Sequence, residues 1–255
     1  MMLEQKKRVL VLHGGWEGHQ PEQIANFAID NLCSEFKVVR SADLGMLRSD
    51  ILSGFDLLLP IWTFGELSNV QETDLLNAVA DGLGVVAWHG NTSAFLNSRP
   101  HKFLLGGQFV AHPGGDNITY TVRFLDNDPL VRGLEDITVT SEQYYLLVDP
   151  AVKVLAVTSI KGDTMTWLSG VEMPQVWKRP WGKGRVFYSA LGHTAEVLSH
   201  PSMVTLLRRA MHESARKSDS VIEHGAELDM TVPTDESLDA PTDFEPGRRA
   251  ESRVI

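Results

Sequence analysis

The stretch GLGVVAWHGNTSAF, residues 82–95, is the part of the chain that most clearly indicates its fold. The apolar run Gly84–Trp88 predicts a buried strand, and the Gly turn after it leads into a helix start. In an open parallel sheet such a turn presents its residue at the carboxyl end of the strand, where ligand crevices form. The residue presented here is His89. Ser or Cys would favour covalent catalysis, whereas an imidazole favours proton transfer, metal ligation or polarisation of a bound carbonyl.

The chain before this stretch alternates short apolar strands with amphipathic helices. Strands are predicted at Arg8–His13, at Phe36–Arg40 and from Phe55 to an end at Pro60. Helices are predicted from Pro21 to Cys33 and over residues 70–81, where apolar residues recur at helical spacing. Because helices separate strands that are apolar throughout, these strands are expected to form a parallel sheet.

The chain after it has a different pattern. The segments Ile118–Phe124 and Ile137–Thr140 alternate apolar with polar residues, which predicts antiparallel strands at the edge of the sheet. Two further strands flank a turn at Pro180–Lys183, and a last helix covers about 201–215. The sequence therefore predicts an α/β fold with a mostly parallel central sheet and antiparallel edge strands.

Composition limits the compartment and the partners. The 255 residues are 43% hydrophobic and contain no apolar run of about 18 to 20 residues, so no membrane span is expected. The polar start of the chain has no signal-type segment, and the single Cys33 cannot form an internal disulfide. A cytoplasmic location is the resulting expectation. Cys33 ends an apolar helix face and is predicted to serve packing.

The net charge of −10 is concentrated near the carboxyl end of the chain. Residues 219–255 contain ten acidic and three basic residues, few apolar residues and three prolines. This composition predicts a folded domain over 1–217 and an acidic, disordered tail over 218–255. The rest of the chain is nearly balanced and has no basic stripe, which argues against a nucleic-acid partner.

Several side chains follow strands or glycines and are candidates for a site. His13, His89 and His193 come after apolar strands, and the carboxyl ends of parallel strands share one edge, so these imidazoles are expected to converge. Glu142 stands at the end of another strand and joins His89 and His193 as a candidate catalytic group. Aromatic walls with a few imidazoles suit a sugar ring. The candidate substrate-binding residues are His13, Trp16, His19, Trp62, Trp88, His112 and Tyr144.

The sequence is compatible with a metal site but contains no local motif for one. Three histidines and one carboxylate would satisfy zinc, but the sequence has no HExxH, no CxxC and no close pair of histidines. No cofactor is therefore assigned. A divalent ion such as zinc remains an alternative, with His13, His89 and His193 as its ligands.

Together these segments resemble the ThuA-like, trehalose-utilisation family. The resemblance rests on five pieces in the expected order, of which the closing WGKGRVFYSALGH over 181–193 is the most specific. The others are the opening strand with His13, the elbow GVVAWHG, the segment LLGGQFVAHP over 104–113 and the element Glu142–Tyr144. The match runs from about Val9 to Ala215.

The resemblance implies a flavodoxin-like three-layer sandwich similar to class I glutamine amidotransferases. Those enzymes present a nucleophilic Cys at the elbow, whereas this chain has His89 there, which excludes glutaminase chemistry. The family implies a role in the utilisation of trehalose or related disaccharides, acting on keto-sugars made by a partner sugar dehydrogenase. His89 and His193 are then expected to act as base and acid, with Glu142 assisting and His13 binding substrate or metal.

Two other functions remain open from the sequence: a sugar-binding or regulatory protein, and a zinc-dependent hydrolase. A homo-oligomer is also left open.

Overall fold

The computed structural model describes residues 6–126, 128–161 and 165–217, which form a central nine-stranded sheet with helices on both faces. The strands are β1 (Arg8–Gly15), β2 (Lys37–Ser41), β3 (Leu57–Thr63), β4 (Gly84–Trp88), β5 (Gly107–Ala111), β6 (Ile118–Phe124), β7 (Ile137–Ser141), β8 (Tyr145–Val148), β9 (Lys153–Ser159), β10 (Glu172–Trp181) and β11 (Gly184–Ser189). The helices are α1 (Pro21–Leu32), α2 (Ser49–Leu52), α3 (Asn69–Ala80), α4 (Arg99–Leu105), α5 (Ala195–Leu198) and α6 (Pro201–Ser214). Short 3₁₀ turns cover Glu17–His19, Leu44–Met46, His89–Ser93 and Thr166–Leu168.

The sheet has a parallel part and an antiparallel part. Its strand order is β2-β1-β3-β4-β11-β10-β9-β6-β7. The first five strands in this order run parallel, and the last four continue the sheet in antiparallel pairs. Strands β5 and β8 pair antiparallel in a separate small sheet. The predicted fold class is confirmed, and β4 and β6 have the predicted bounds.

Two hydrophobic cores lie on opposite faces of the sheet and make the three layers. Along β1 the side chains alternate, so that Val9 and Val11 join one core while Leu10 and Leu12 join the other. Helices α1 and α6 cover the first core, and α3 and α4 cover the second. The parallel strands are therefore buried on both faces, as their continuous apolar sequence requires.

Strand β3 does not end at Pro60 as predicted but continues to Thr63. On the side of β1, Pro60 pairs with Leu12 and the ladder continues. On the other side, the described pairing of β3 with β4 stops at Leu58, and Asn91 donates from Nδ2 to the Pro60 carbonyl at 3.1 Å. The missing N–H of proline is tolerated because the ladder with β4 has already separated there.

An ion cluster joins strands β9 and β10 to the loop that contains Asp128. The carboxylate of Asp128 lies 2.6 Å from Lys153 Nζ and 2.8 Å from Lys178 Nζ. It also accepts the backbone N–H of Leu130 at 3.0 Å. Burial alone would raise the pKa of Asp128, but hydrogen bonds from the two lysines and from this N–H lower that pKa to about 2.

We expect Asp128→Asn to lower the free energy of unfolding at pH 7 by about 2 kcal/mol, because the folded pKa lies below the unfolded one. The ionised carboxylate stabilises the fold fully above its usual pKa of 3.8, and this contribution is lost as the pH falls toward about 2. Denaturant unfolding of both proteins between pH 7 and pH 2 measures it, and the two curves should converge in acid. A gap that does not change with pH would contradict this account.

None of the helices in the described residues is long and apolar enough to cross a membrane. The predicted acidic tail, residues 218–255, lies outside the described residues, so the boundary at 217 stays a prediction.

Candidate functional site

The elbow after β4 holds His89 in a left-handed backbone conformation, with φ of +43°. Such a conformation costs a non-glycine residue on the order of 1–3 kcal/mol, so the surroundings must maintain it. The buried Tyr188 hydroxyl donates to the His89 carbonyl at 2.8 Å, and Thr92 Oγ1 lies 3.2 Å from the same carbonyl. These contacts fix the turn and therefore the direction of the imidazole.

The structure brings His89, His193 and Glu142 together at the carboxyl edge of the parallel strands. His89 Nε2 lies 3.1 Å from Glu142 Oε2 and 3.1 Å from His193 Nδ1. Glu142 Oε2 lies 3.2 Å from His193 Nδ1. His89 and Glu142 are buried, whereas His193 is partly exposed and connects the group to solvent.

Glu142 reaches this edge from the far side of the sheet. It directly follows β7, the outermost antiparallel strand, and the next strand, β8, pairs with β5 in the separate small sheet. Tyr120 donates its hydroxyl to the Glu142 carbonyl at 2.8 Å, and Gln143 Nε2 donates to Thr158 Oγ1 at 2.8 Å. Gln175 Nε2 donates to the carbonyl of Tyr144 at 3.0 Å. Buried hydrogen bonds thus fix the segment that supplies the carboxylate.

The tautomer of His89 follows from its backbone partner. Its Nδ1 lies 2.9 Å from the Ala190 carbonyl, which can only accept, so Nδ1 carries hydrogen. Burial lowers the pKa of His89, and the opposing effects of Glu142 and of the Ala190 carbonyl do not reverse this. The imidazole is therefore neutral at pH 7, with its Nε2 lone pair facing Glu142 and His193.

The other groups around Nε2 have complementary charge states. Burial alone would raise the pKa of Glu142, but the adjacent imidazoles of His193 and His89 lower it well below its usual range, which keeps the carboxylate ionised. The Tyr144 hydroxyl lies 2.9 Å from His89 Nε2, and the two rings stack with centroids 4.4 Å apart. Burial raises the pKa of Tyr144 well above its usual value, so this hydroxyl remains a hydrogen-bond donor.

His19 is the fourth member of the cluster. It ends the 3₁₀ turn after β1, and its ring centroid lies 4.7 Å from that of His89 and 5.1 Å from that of His193. Burial, followed by the neighbouring His89 and His193, lowers the pKa of His19 to about 3. Gly90 permits this approach, because a Cβ there would lie 2.0 Å from Thr63 Oγ1 and 2.6 Å from His19 Nδ1.

The expected convergence of His13 with His89 and His193 is wrong. His13 continues the side-chain alternation of Val9 and Val11 on β1, and its Nε2 accepts from Arg40 Nε at 2.9 Å. The potential ligand group in the described residues consists of His19, His89, Glu142 and His193. His19 therefore lies beside His89 and His193 in the place where the sequence predicted His13. The sequence does contain a signal for His19: it follows the two glycines that end β1, which allow the chain to turn at the edge of the sheet.

Aromatic side chains surround the cluster at different depths. Trp62 and Trp88 line a small recess together with His19 and His89, and Trp88 is buried. Trp16 is 47% exposed and contacts His19 edge-on, with ring centroids 4.7 Å apart. The outer wall includes His112, whose Nε2 lies 3.8 Å from Glu142 Oε1 and whose side chain is 39% exposed. All the predicted substrate-binding residues except His13 thus lie in or around the cluster.

Cys33 lies away from the elbow in the core beneath α1. Burial raises the pKa of its thiol to about 12, so it stays protonated at neutral pH. It serves packing, and the elbow itself presents only an imidazole.

The fold and site define a class: flavodoxin-like α/β proteins that carry an imidazole–carboxylate cluster at the sheet edge instead of a thiol. The ThuA family, described as trehalose utilisation, matches residues 8–212. The chain belongs to this family, and the resemblance seen in the sequence is confirmed.

Solved structures share the fold. A ThuA-like protein from Bacteroides uniformis ATCC 8492 is 18% identical with a TM-score of 0.66, over 81% of this chain and 90% of that one. One from Parabacteroides merdae ATCC 43184 is 17% identical with a TM-score of 0.68, over 84% and 93%. A cytoplasmic protein from Salmonella typhimurium LT2 is 11% identical with a TM-score of 0.56, over 82% and 100%. A comparison with curated proteins finds no match.

Proposed function

We propose that this protein is an enzyme that acts on a disaccharide or its keto-sugar derivative by imidazole-based acid–base chemistry. Membership of the trehalose-utilisation family supports the substrate class. The observation that carries the reaction type is the contact of His89 Nε2 with Glu142 and His193, both at 3.1 Å. A bound sugar atom beside this cluster is within reach of all three groups.

Each group has a role that follows from its charge state. His89 is neutral with a lone pair at Nε2, which suits a base that removes a proton next to a sugar carbonyl. Glu142 is ionised and stabilises the imidazolium that results. His193 is the partly exposed member and acts as the acid that exchanges its proton with solvent or with the departing oxygen.

The surrounding aromatics supply recognition. The C–H faces of a sugar stack on aromatic rings, while its hydroxyls need polar partners. Trp16 and Trp62 offer ring faces near the cluster, and His19, His112 and Tyr144 offer polar atoms. Trp88 lies deeper and supports the wall of the recess.

Cellular context is also part of the proposal. The enzyme works in the cytoplasm, in keeping with the structurally similar Salmonella protein, which is described as cytoplasmic. A sugar dehydrogenase supplies its keto-sugar. Its partners are small sugars and, in an oligomer, further copies of itself; nucleic acid and membranes are not among them.

The test is turnover of 3-keto-trehalose and related 3-keto-disaccharides, followed by NMR of the products. We expect the wild type to transform such a sugar and the double variant His89→Ala/His193→Ala to be at least about 100-fold slower, the lower end for loss of acid–base catalysis. His212→Ala removes an exposed histidine remote from the cluster and is the matched control. Turnover preserved in the double variant would remove the proposed mechanism. Sugar binding without turnover in the wild type would favour a sugar-binding or regulatory protein.

A further inference from the structure

We propose that His19, His89, Glu142 and His193 bind one divalent transition-metal ion. One ligand atom of each residue lies within 4.8 Å of every other, and the four come from four separate segments of the chain. A role of this ion in the turnover of a keto-sugar rests on the proposed function, whereas binding of the ion itself is measurable without any sugar.

The first argument is the balance of donors and acceptors at His89. Because Nδ1 donates to the Ala190 carbonyl, the neutral ring has an acceptor at Nε2. That acceptor faces Glu142 Oε2, a second acceptor, at 3.1 Å. The hydroxyl of Tyr144 can donate to Nε2 and His193 Nδ1 can donate to Oε2, but no hydrogen lies between these two acceptors themselves. A cation among these atoms turns a repulsive contact into an attractive one.

The second argument is the orientation of the imidazoles. Metal-binding histidines usually bond their other ring nitrogen to a carbonyl, carboxylate or water, which fixes the tautomer and the ring. His89 has this arrangement through Ala190. His19 has a similar one, because its Nδ1 lies 2.8 Å from Thr63 Oγ1 and leaves Nε2 free. Each ring therefore has one nitrogen anchored to the protein and one available for an ion.

The third argument selects the class of ion. Calcium and magnesium prefer ligand sets made of oxygen, whereas imidazole suits zinc, iron, nickel and copper. Three imidazole nitrogens and one carboxylate oxygen therefore favour a borderline divalent ion such as Zn²⁺. Such an ion polarises carbonyl oxygens, which is the chemistry a keto-sugar requires. With the ion bound, Nε2 of His89 is a ligand and no longer a base, so polarisation of the sugar carbonyl by the ion would replace that role. The ring of His112 lies outside the ligand group.

The test uses the full chain without a histidine tag, stripped with chelator and titrated calorimetrically with Zn²⁺. We expect one Zn²⁺ per chain, with no displacement by millimolar Mg²⁺. His19→Ala removes a ligand at a partly exposed position where folding is least affected, and we expect binding at least about 10-fold weaker. Thr63→Val keeps all four ligands but removes the anchor of His19, for which about 10- to 100-fold weaker binding is expected.

Two controls match these variants. His13→Ala is the control for His19→Ala, because His13 was predicted in the site but lies outside the ligand group. Thr138→Val is the control for Thr63→Val, because it changes an exposed threonine on β7. Equal affinity in all five proteins, or no bound Zn²⁺ in the wild type, would overturn the ion site. Zinc binding without turnover of any sugar contradicts the proposed function and leaves the ion site standing. Turnover of a keto-sugar by protein that binds no zinc would support the proposed function and overturn the ion site.

Discussion

Glu142→Gln is expected to lower keto-sugar turnover by about 100- to 10,000-fold, the range for removal of an acid–base component. The substitution keeps the size of the side chain but removes the negative charge that faces His89 and His193. An imidazolium formed in this buried place then has no counter-charge, so proton abstraction becomes unfavourable. Steady-state rates across a range of substrate concentrations measure the effect, and we expect it in kcat more than in KM.

The pH profile separates this electrostatic role from a structural one. Glu142 raises the pKa of His89, so its neutralisation should lower that pKa further. The acid limb of the rate profile, which reports protonation of the base, should then move to lower pH in Glu142→Gln. Glu35→Gln is the control, because Glu35 is 75% exposed beside His212. A slower variant whose acid limb stays in place would show that Glu142 only supports the fold.

The sequence predicted those features of the site that depend on local pattern. Apolar runs of strand length and a glycine turn are sufficient to indicate β4 and its elbow, so His89 was identified from fourteen residues. The first and last parallel strands were found in the same way, and the shared edge of such strands explains why His193 was expected beside His89. The parallel pairing of β4 with β11 places the ends of these two strands side by side.

Two features needed the tertiary structure. The face on which a side chain leaves a strand end depends on where the strand stops pairing, and β1 continues to Gly15, which keeps His13 in the alternation. Glu142 follows an antiparallel edge strand, for which the shared-edge argument does not apply. It reaches the site because buried partners on β6, β9 and β10 direct residues 142–144 back across the sheet. Such long-range hydrogen bonds leave no periodic signal in the sequence.

Trp177→Ala is expected to have the largest effect on stability. The Trp177 side chain is completely buried on β10, its ring packs on Tyr188 with centroids 4.5 Å apart, and its Nε1 donates to the Leu105 carbonyl at 2.7 Å. Truncation of a buried aromatic leaves a cavity and costs about 3–5 kcal/mol, and here it also leaves a buried carbonyl unpaired. This is a large share of the roughly 5–15 kcal/mol that stabilises a typical protein.

Thermal and denaturant unfolding measure this cost, and we expect a fall in Tm of about 10 °C or more. Trp167→Ala is the matched control, because Trp167 is 70% exposed and its loss should change stability by less than about 0.5 kcal/mol. The effect should also reach the site, since Tyr188 both packs on Trp177 and holds the His89 carbonyl. Trp177→Phe retains an aromatic neighbour for Tyr188 and should recover more activity than stability, because the Leu105 carbonyl still lacks its donor. If Trp177→Ala kept full turnover while losing stability, the positioning of His89 would not depend on this packing.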